Sequence, residues 1–147
     1  MKNSESQRGF SLIELLIVVA VIGIIAAISI TYLMQAKQAA RSASAVSALR
    51  LIHSSETSYR ASFGSYGNLA ALGTNKFLND PDIIAGQKSQ YNITVTPDSA
   101  DATLDYAATA SPLTDPNGDY PNFFVNGTGV LRSKTGSAAD VNSPPLN

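Results

Sequence analysis

The stretch RGFSLIELLIVVAVIGIIAAISI, residues 8–30, decides the fold. It opens an uncharged run of 19 residues, 15–33, that as a helix would reach about 28 Å, close to the hydrocarbon thickness of a bilayer. Backbone groups in lipid must hydrogen-bond within their own segment, so the run is predicted to be helical. Glu14 stands just before the run, and a charge at the centre of a membrane helix costs about 2.5–3.5 kcal/mol. A partner that neutralises Glu14 is therefore expected.

Three interpretations of this N-terminus compete. A secretory signal peptide would explain the polar start and the sequence IAA at residues 25–27, but the apolar segment is long for it. A plain membrane anchor would explain the length, although Lys2 and Arg8 on one side are matched by Lys37 and Arg41 on the other, which leaves its orientation open. The third interpretation comes from a family resemblance.

Residues 8–28, RGFSLIELLIVVAVIGIIAAI, resemble the N-terminus of a type IV pilin or a type II secretion pseudopilin. That family has a short polar leader ending in glycine, then phenylalanine, then a glutamate four positions later and a long apolar helix. The resemblance implies a leader over residues 1–9, cleavage between Gly9 and Phe10 by a prepilin peptidase, and methylation of the new Phe10 amine. Where major pilins often carry a proline late in this helix, the chain has Thr31, so no kink is expected there.

The resemblance also implies a partner for Glu14, namely the terminal amine of Phe10 in a neighbouring subunit. Two buried charges are tolerable when joined and destabilising when one is missing, so the acid would set the stagger of the subunits. The alternative is that Glu14 lies near the helix start among lipid headgroups, where the helix dipole favours it. Gly23 and Ala27, four residues apart, form a small-residue face on which another helix could approach closely.

Helical character is predicted to continue from the apolar run to Phe63. Apolar residues then recur at helical spacing on one face, with Glu56 expected at the edge of that face; its members are Val46, Leu49, Ile52, Tyr59 and Phe63. The predicted domains are therefore the leader 1–9, a long helix 10–63 of which residues 10–33 lie in the membrane or filament core, and a head over residues 64–147.

The head is predicted to be a small antiparallel β-sheet. Strands are expected over residues 90–96, 103–110 and 122–131, the last broken by the hairpin signal Asn126-Gly127. Within the first, Tyr91, Ile93 and Val95 share one face; in the second, Leu104, Tyr106 and Ala108 do. With the long helix this is an α+β, pilin-like fold ending in a polar tail.

Composition excludes several functions. The formal net charge is −1, which predicts no nucleic-acid partner. There is no cysteine and one histidine, His53, so thiol chemistry and a multi-histidine metal site are excluded. His53 is expected to be a solvated surface residue, and no catalytic residues are marked, so we expect no enzyme.

The loop LTDPNGDYPN, residues 113–122, is the one candidate metal site. Asp115, Asn117 and Asp119 alternate as oxygen ligands of calcium would. Major pseudopilins use a C-terminal calcium site in a cysteine-free head, and the resemblance extends that expectation here. An ordinary turn around aspartate and proline is the alternative; otherwise no cofactor is expected.

Charge is unevenly spread along the chain. Residues 10–76 carry five basic and two acidic side chains, whereas residues 77–147 carry three basic and eight acidic ones. Net charges of +3 and −5 suit packing of one copy against the next.

The resemblance implies a homo-oligomeric, helical filament. Its subunit lies in the inner membrane as a single-pass protein before assembly and becomes part of an extracellular pilus. Its expected partners are membrane lipid, the prepilin peptidase and methyltransferase, and the pilus or secretion assembly machinery. Any adhesion would then reside in residues 77–147. The alternative is a type II secretion pseudopilin in a periplasmic filament. A third hypothesis is an anchored periplasmic enzyme or binding protein.

Overall fold

The computed structural model describes residues 9–115 and 117–146. Apart from Gly9, the predicted leader therefore lies outside the described residues. Helices α1, α2 and α3 span Leu12–Phe63, Leu69–Thr74 and Pro81–Ile84, and strands β1 to β5 span Gln87–Lys88, Tyr91–Pro97, Tyr106–Pro112, Pro121–Asn126 and Arg132–Thr135. The α+β prediction, a long N-terminal helix followed by an antiparallel sheet, is confirmed. The chain divides into two units, Met1–Lys37 and Gln38–Asn147, and α1 contributes to both.

In the described part of the first unit, the side chains of the apolar helix are not covered by other residues of that unit. Every side chain from residue 9 to residue 37 is exposed. Among the described residues, α1 is the one helix long and apolar enough to cross a membrane. The helix continues through Gly23 and Thr31, and the Thr31 hydroxyl donates to the Ile28 carbonyl at 2.9 Å, so the residue in the proline position satisfies its own polar group.

In the second unit α1 supplies one wall of the core. Its buried residues are Ala45, Val46, Ala48, Leu49, Ile52, Ser55 and Glu56, so the predicted face is confirmed at Val46, Leu49 and Ile52. Tyr59 is only half-buried and Phe63 is 54% exposed, so the predicted burial of Phe63 was wrong. Glu56 was expected at the edge of this face and is instead fully buried. α1 ends at Phe63 because Gly64 takes a φ of 76°, a left-handed conformation that glycine adopts readily.

The other wall is a five-stranded antiparallel sheet in the order β1-β2-β3-β4-β5. β2 alternates as predicted: Tyr91, Ile93 and Val95 are buried, and the residues between them are exposed. In β3, Tyr106 and Ala108 face the core, but Leu104 precedes the strand and is 67% exposed, so its predicted place on the inner face was wrong. The buried side chains of α1 and of the sheet form one hydrophobic cluster.

Two short helices and two short strands extend this prediction. Asn68 caps α2 by accepting from the Ala71 amide at 2.8 Å. Asp80 caps α3, whose first residue is Pro81. The β4–β5 hairpin contains the predicted Asn126-Gly127 signal, but its connection runs over residues 127–131, with the left-handed φ of 74° at Gly129. The expected two-residue turn is therefore replaced by a longer loop.

Candidate functional site

The predicted cleavage bond lies in exposed, non-helical chain. Gly9 and Phe10 precede α1, and Phe10 is 81% exposed. A Cβ placed on Gly9 would have no heavy atom within 4 Å, so packing within this chain does not require glycine there. A requirement for Gly9 would have to come from a processing enzyme.

Glu14 is engaged at the start of α1. The Ser11 carbonyl accepts from the Leu15 amide at 3.3 Å, which makes Ser11 the N-cap residue. The Ser11 amide in turn donates to Glu14 Oε2 at 3.1 Å. Ser11 and Glu14 thus have the spacing of a capping box, in which the third helical residue satisfies the amide of the cap. In the single chain, the contact of Glu14 with the Ser11 amide therefore fits the alternative interpretation, in which Glu14 lies at the start of the helix.

Gly23 and Ala27 lie on the exposed part of α1. A Cβ at Gly23 would also meet nothing within 4 Å. Because every side chain from residue 9 to residue 37 is exposed, the small-residue face is available to a surrounding phase or to another helix.

A buried polar cluster lies between the C-terminal part of α1 and the sheet. Glu56 is fully buried; its Oε2 accepts from the Gly67 amide at 3.0 Å, and its Oε1 has no hydrogen-bond partner among the described residues. Burial raises the pKa of Glu56 to about 7, against the opposing effect of the Gly67 amide. Burial, followed by the nearby Glu56, also raises the pKa of Tyr106.

His53 belongs to this cluster and is not the solvated surface residue that was predicted. Its Nδ1 lies 2.8 Å from the Tyr106 hydroxyl, and the side chain is half-buried. The neighbouring Thr57 hydroxyl donates to the His53 backbone carbonyl, not to its ring. The contacts of His53 thus join α1 to β3 and do not arrange a nucleophile.

Asp105 holds the β4–β5 loop against the same cluster. Its carboxylate accepts from the Gly127 amide at 2.7 Å and from the Asn126 amide group at 3.0 Å. A Cβ on Gly127 would lie 2.8 Å from Asp105 Oδ1 and 2.9 Å from the Tyr66 hydroxyl. The sequence analysis missed Asp105; the two glycines of Asn126-Gly-Thr-Gly were the signal that a backbone must approach another group closely here.

The candidate calcium loop is organised as a turn. Asp115 accepts from the Asp119 amide at 2.9 Å through Oδ1 and from the Tyr120 amide at 3.1 Å through Oδ2. Asn117 and Asp119 are exposed. No group of three or more acidic or histidine side chains that could hold a metal occurs among the described residues. Both Asp115 oxygens serve the backbone, so the described residues fit an aspartate turn better than an ion site.

Comparison with known proteins concerns the N-terminal stretch. Residues 6–30 match the family described as the prokaryotic N-terminal methylation motif. The chain carries the prepilin motif. The motif supports the prediction of a type IV pilin-like or pseudopilin subunit. It also supports the predicted methylation and the predicted transmembrane helix. No curated protein and no solved structure matches the chain significantly.

The prepilin motif lies within the first unit and gives no information about the function of the head. It belongs to structural subunits that are made as membrane precursors and processed by a prepilin peptidase. It ends at residue 30, whereas the buried polar cluster lies between His53 and Gly129. The contacts of the head therefore depend on the residues that its own surface exposes.

Proposed function

We propose that this chain is a structural subunit of a type IV pilus-like filament. The prepilin peptidase cuts between Gly9 and Phe10, Phe10 becomes N-methylated, and the mature chains polymerise by burying residues 12–33 against one another. The observation that carries the proposal is the coincidence of the prepilin motif with an apolar helix that no described residue of its own unit covers. Removing apolar surface from water contributes about 25 cal/mol per Å², which favours assembly once the helix leaves lipid.

In this proposal the amine of Phe10 replaces the contact that Glu14 makes in the single chain. Cleavage after Gly9 creates the amine four residues before Glu14. Methylation keeps it a cation at neutral pH. A neighbouring carboxylate then neutralises it within the apolar core, where an unpaired charge would be costly.

The test joins processing to assembly. Filaments are pelleted from the cells that make the chain and imaged, and the N-terminal peptide is measured by mass spectrometry. We expect filaments whose subunit begins at Phe10 with one extra methyl group. The matched variant Gly9→Val should give an uncut precursor that stays in the membrane. Packing among the described residues does not need Gly9, so this result would report on the peptidase and not on a folding defect. A mature chain that begins elsewhere would overturn the proposal.

A type II secretion pseudopilus is the second candidate. A cysteine-free chain favours it slightly, because the head has no disulfide to stabilise it in the way many pilin heads are stabilised. It predicts short filaments confined to the periplasm and a loss of protein secretion when the gene is deleted. Surface filaments with unaffected secretion would rule it out. An anchored enzyme or binding protein predicts no filament in either place.

Calcium binding at Asp115, Asn117 and Asp119 is a prediction tied to the pseudopilus. Because Asp115 already accepts two backbone amides, we expect an affinity no better than about 1 mM, at which 1 mM calcium would add about 0.4 kcal/mol. Thermal unfolding of the full chain in detergent, with calcium and with a chelator, measures this. A large upward shift that Asp115→Ala abolishes would show a real site.

A further inference from the structure

Residues 101–104 display a large apolar side chain close to an exposed acid. Leu104, at 67% exposure, is the most exposed large hydrophobic residue of the second unit. Its loop is held in place: the Leu104 amide donates to the Asp101 carbonyl at 3.0 Å, and the Tyr66 amide donates to the Ala102 carbonyl at 2.8 Å. Asp101 is exposed beside it, with its Oδ1 accepting from Thr103. We call residues 101–104 the acidic knob.

An open groove of about 540 Å³ lies elsewhere on the same unit, between α1, β4, β5 and the C-terminal segment. The described residues that line it include no acid, and their one charged side chain is Arg50, which is exposed. Its apolar lining is Ala43, Val46, Pro121, Phe123 and Leu146. We call this surface the basic groove.

The knob and the groove lie at opposite ends of the second unit. The knob is tied to Tyr66, just beyond the end of α1, whereas the groove is lined by α1 residues no later than Arg50. From Arg50 to Phe63 the helix rises about 20 Å. The sheet separates the two surfaces in the same way. The knob precedes Tyr106 at one end of β3, whereas Phe123 of the groove pairs with Ala110 towards the other end of that strand.

Two such surfaces cannot meet within one copy, but they can meet between copies. A protrusion and a recess at different places on one molecule form a heterologous contact, which generates an open helical polymer when the rotation does not close a ring. In the described part of the chain the ion pairs are those of Lys88 with Asp80 and Asp82, so Asp101 and Arg50 are both available to an outside partner.

We propose that the acidic knob of one copy enters the basic groove of the next, with Leu104 against the apolar lining and Asp101 facing Arg50. The contact rests on the proposed filament function. Burial of the N-terminal helices supplies most of the association there, so a small contact between heads is sufficient to favour the same stagger that the Glu14 pair sets. The groove presents one positive charge among apolar side chains, and the knob presents a negative charge close to an exposed leucine. The occupant of the groove is therefore a second copy of this chain.

Disulfide trapping tests the contact, since the chain has no native cysteine. The double variant Leu104→Cys with Ser47→Cys is oxidised in filaments, and Ser47 is an exposed residue of the groove. A disulfide needs Cα atoms within about 7 Å, so a dimer and higher ladder are expected. The control pairs Ser47→Cys with Leu113→Cys, an exposed leucine of another loop.

Outcomes for the contact and for the filament are distinguishable. Filaments by electron microscopy without a 104–47 disulfide would overturn the contact and leave the filament proposal intact. Equal trapping through residue 113 would also overturn it, as would a disulfide between Ser47→Cys and a different protein. Absence of filaments from the unaltered chain would overturn both proposals.

Charge reversal supplies a second readout that needs no cysteine. Arg50→Glu and Asp101→Arg should each lower filament yield several-fold, and the double reversal should restore it. Thermal unfolding of each variant in detergent checks that the head still folds. Two folded single variants with normal filament yield would count against the charged half of the contact.

Discussion

Glu14 accepts a hydrogen bond from the Ser11 amide in the single chain, whereas the proposed filament requires its carboxylate to meet an amine of a neighbouring copy. Two substitutions separate these roles. Alanine removes both the hydrogen-bond acceptor and the charge. Glutamine keeps an acceptor for the Ser11 amide and removes only the charge.

We predict that Glu14→Ala and Glu14→Gln are both expressed and cleaved, and that both lower filament yield by at least about tenfold. Removing one partner of a buried ion pair costs about 3–5 kcal/mol, much more than the loss of a helix cap. Filament yield is measured by shearing, pelleting and quantitative blotting. Normal yield from the glutamine variant would contradict the charge pair, and low yield from the alanine variant alone would show that assembly needs the cap.

Glu56 predicts a pH dependence of stability. Its pKa is about 7 in the folded chain and 4.5 in the unfolded one, so the folded chain binds more protons between these values. The free energy of unfolding should therefore fall as pH rises from about 4.5 to 7 and level off above it, by roughly 3 kcal/mol at most. Glu56→Gln stays neutral and should flatten this decline.

The measurement is urea unfolding of the full chain in detergent between pH 5 and pH 8. We expect Glu56→Gln to be more stable than the unaltered chain at pH 8 and similar to it at pH 5. His53→Gln is the control, because His53 contacts Tyr106 of the same cluster and its replacement leaves Glu56 in place. Parallel curves for Glu56→Gln and the unaltered chain would contradict the assignment.

At the scale of elements, the β4–β5 loop is held by a half-buried carboxylate. Asp105 accepts from two groups of the loop, and Gly127 approaches Asp105 and Tyr66 too closely for a side chain. The loop in turn lies over His53, since a Cβ on Gly129 would be 2.9 Å from His53 Nε2. The hairpin and the C-terminal part of α1 should therefore lose stability together.

We predict that Gly127→Ala lowers the free energy of unfolding by about 1–3 kcal/mol, the usual cost of overpacking. Val130→Ala, on the same loop and 39% exposed, is the control and should change it by less than about 0.5 kcal/mol. Thermal unfolding followed by near-ultraviolet circular dichroism of the tyrosines measures both. Equal melting of the glycine variant and the unaltered chain would show that the loop rearranges without cost.

At the scale of the whole molecule, the two units differ in what stabilises them. All described buried residues lie between Ala45 and Ser143, within the second unit. The described part of the first unit, residues 9–37, exposes its apolar side chains throughout. Folding of the head should therefore not depend on residues 1–37, whereas membrane residence and polymerisation should.

We predict that residues 38–147 fold without detergent and unfold within about 3 °C of the full chain. The expected product is monomeric and forms no filaments, because it lacks the apolar helix. Circular dichroism and analytical ultracentrifugation measure the two properties. A molten or aggregated fragment would show that the first unit supports the fold of the head.

Local patterns in the sequence determined the prepilin stretch, the long helix to Phe63, its buried face and the alternation of β2. Each depends on residues close in sequence, whose spacing of 3.6 or 2 residues is set by backbone geometry. The same local signals were present at Asn68 and at Asp80-Pro81, which cap the two short helices that were not predicted.

Only the tertiary structure decided which polar groups are buried and which apolar ones are displayed. Glu56 follows the helical period of its apolar neighbours, but its burial depends on Gly67 and the sheet closing over it. The contacts of His53 with Tyr106 and of Asp105 with Gly127 join residues 53 and 22 positions apart. Such contacts, and the exposure of Leu104, arise when distant segments are brought together, and periodicity along the chain carries no information about them.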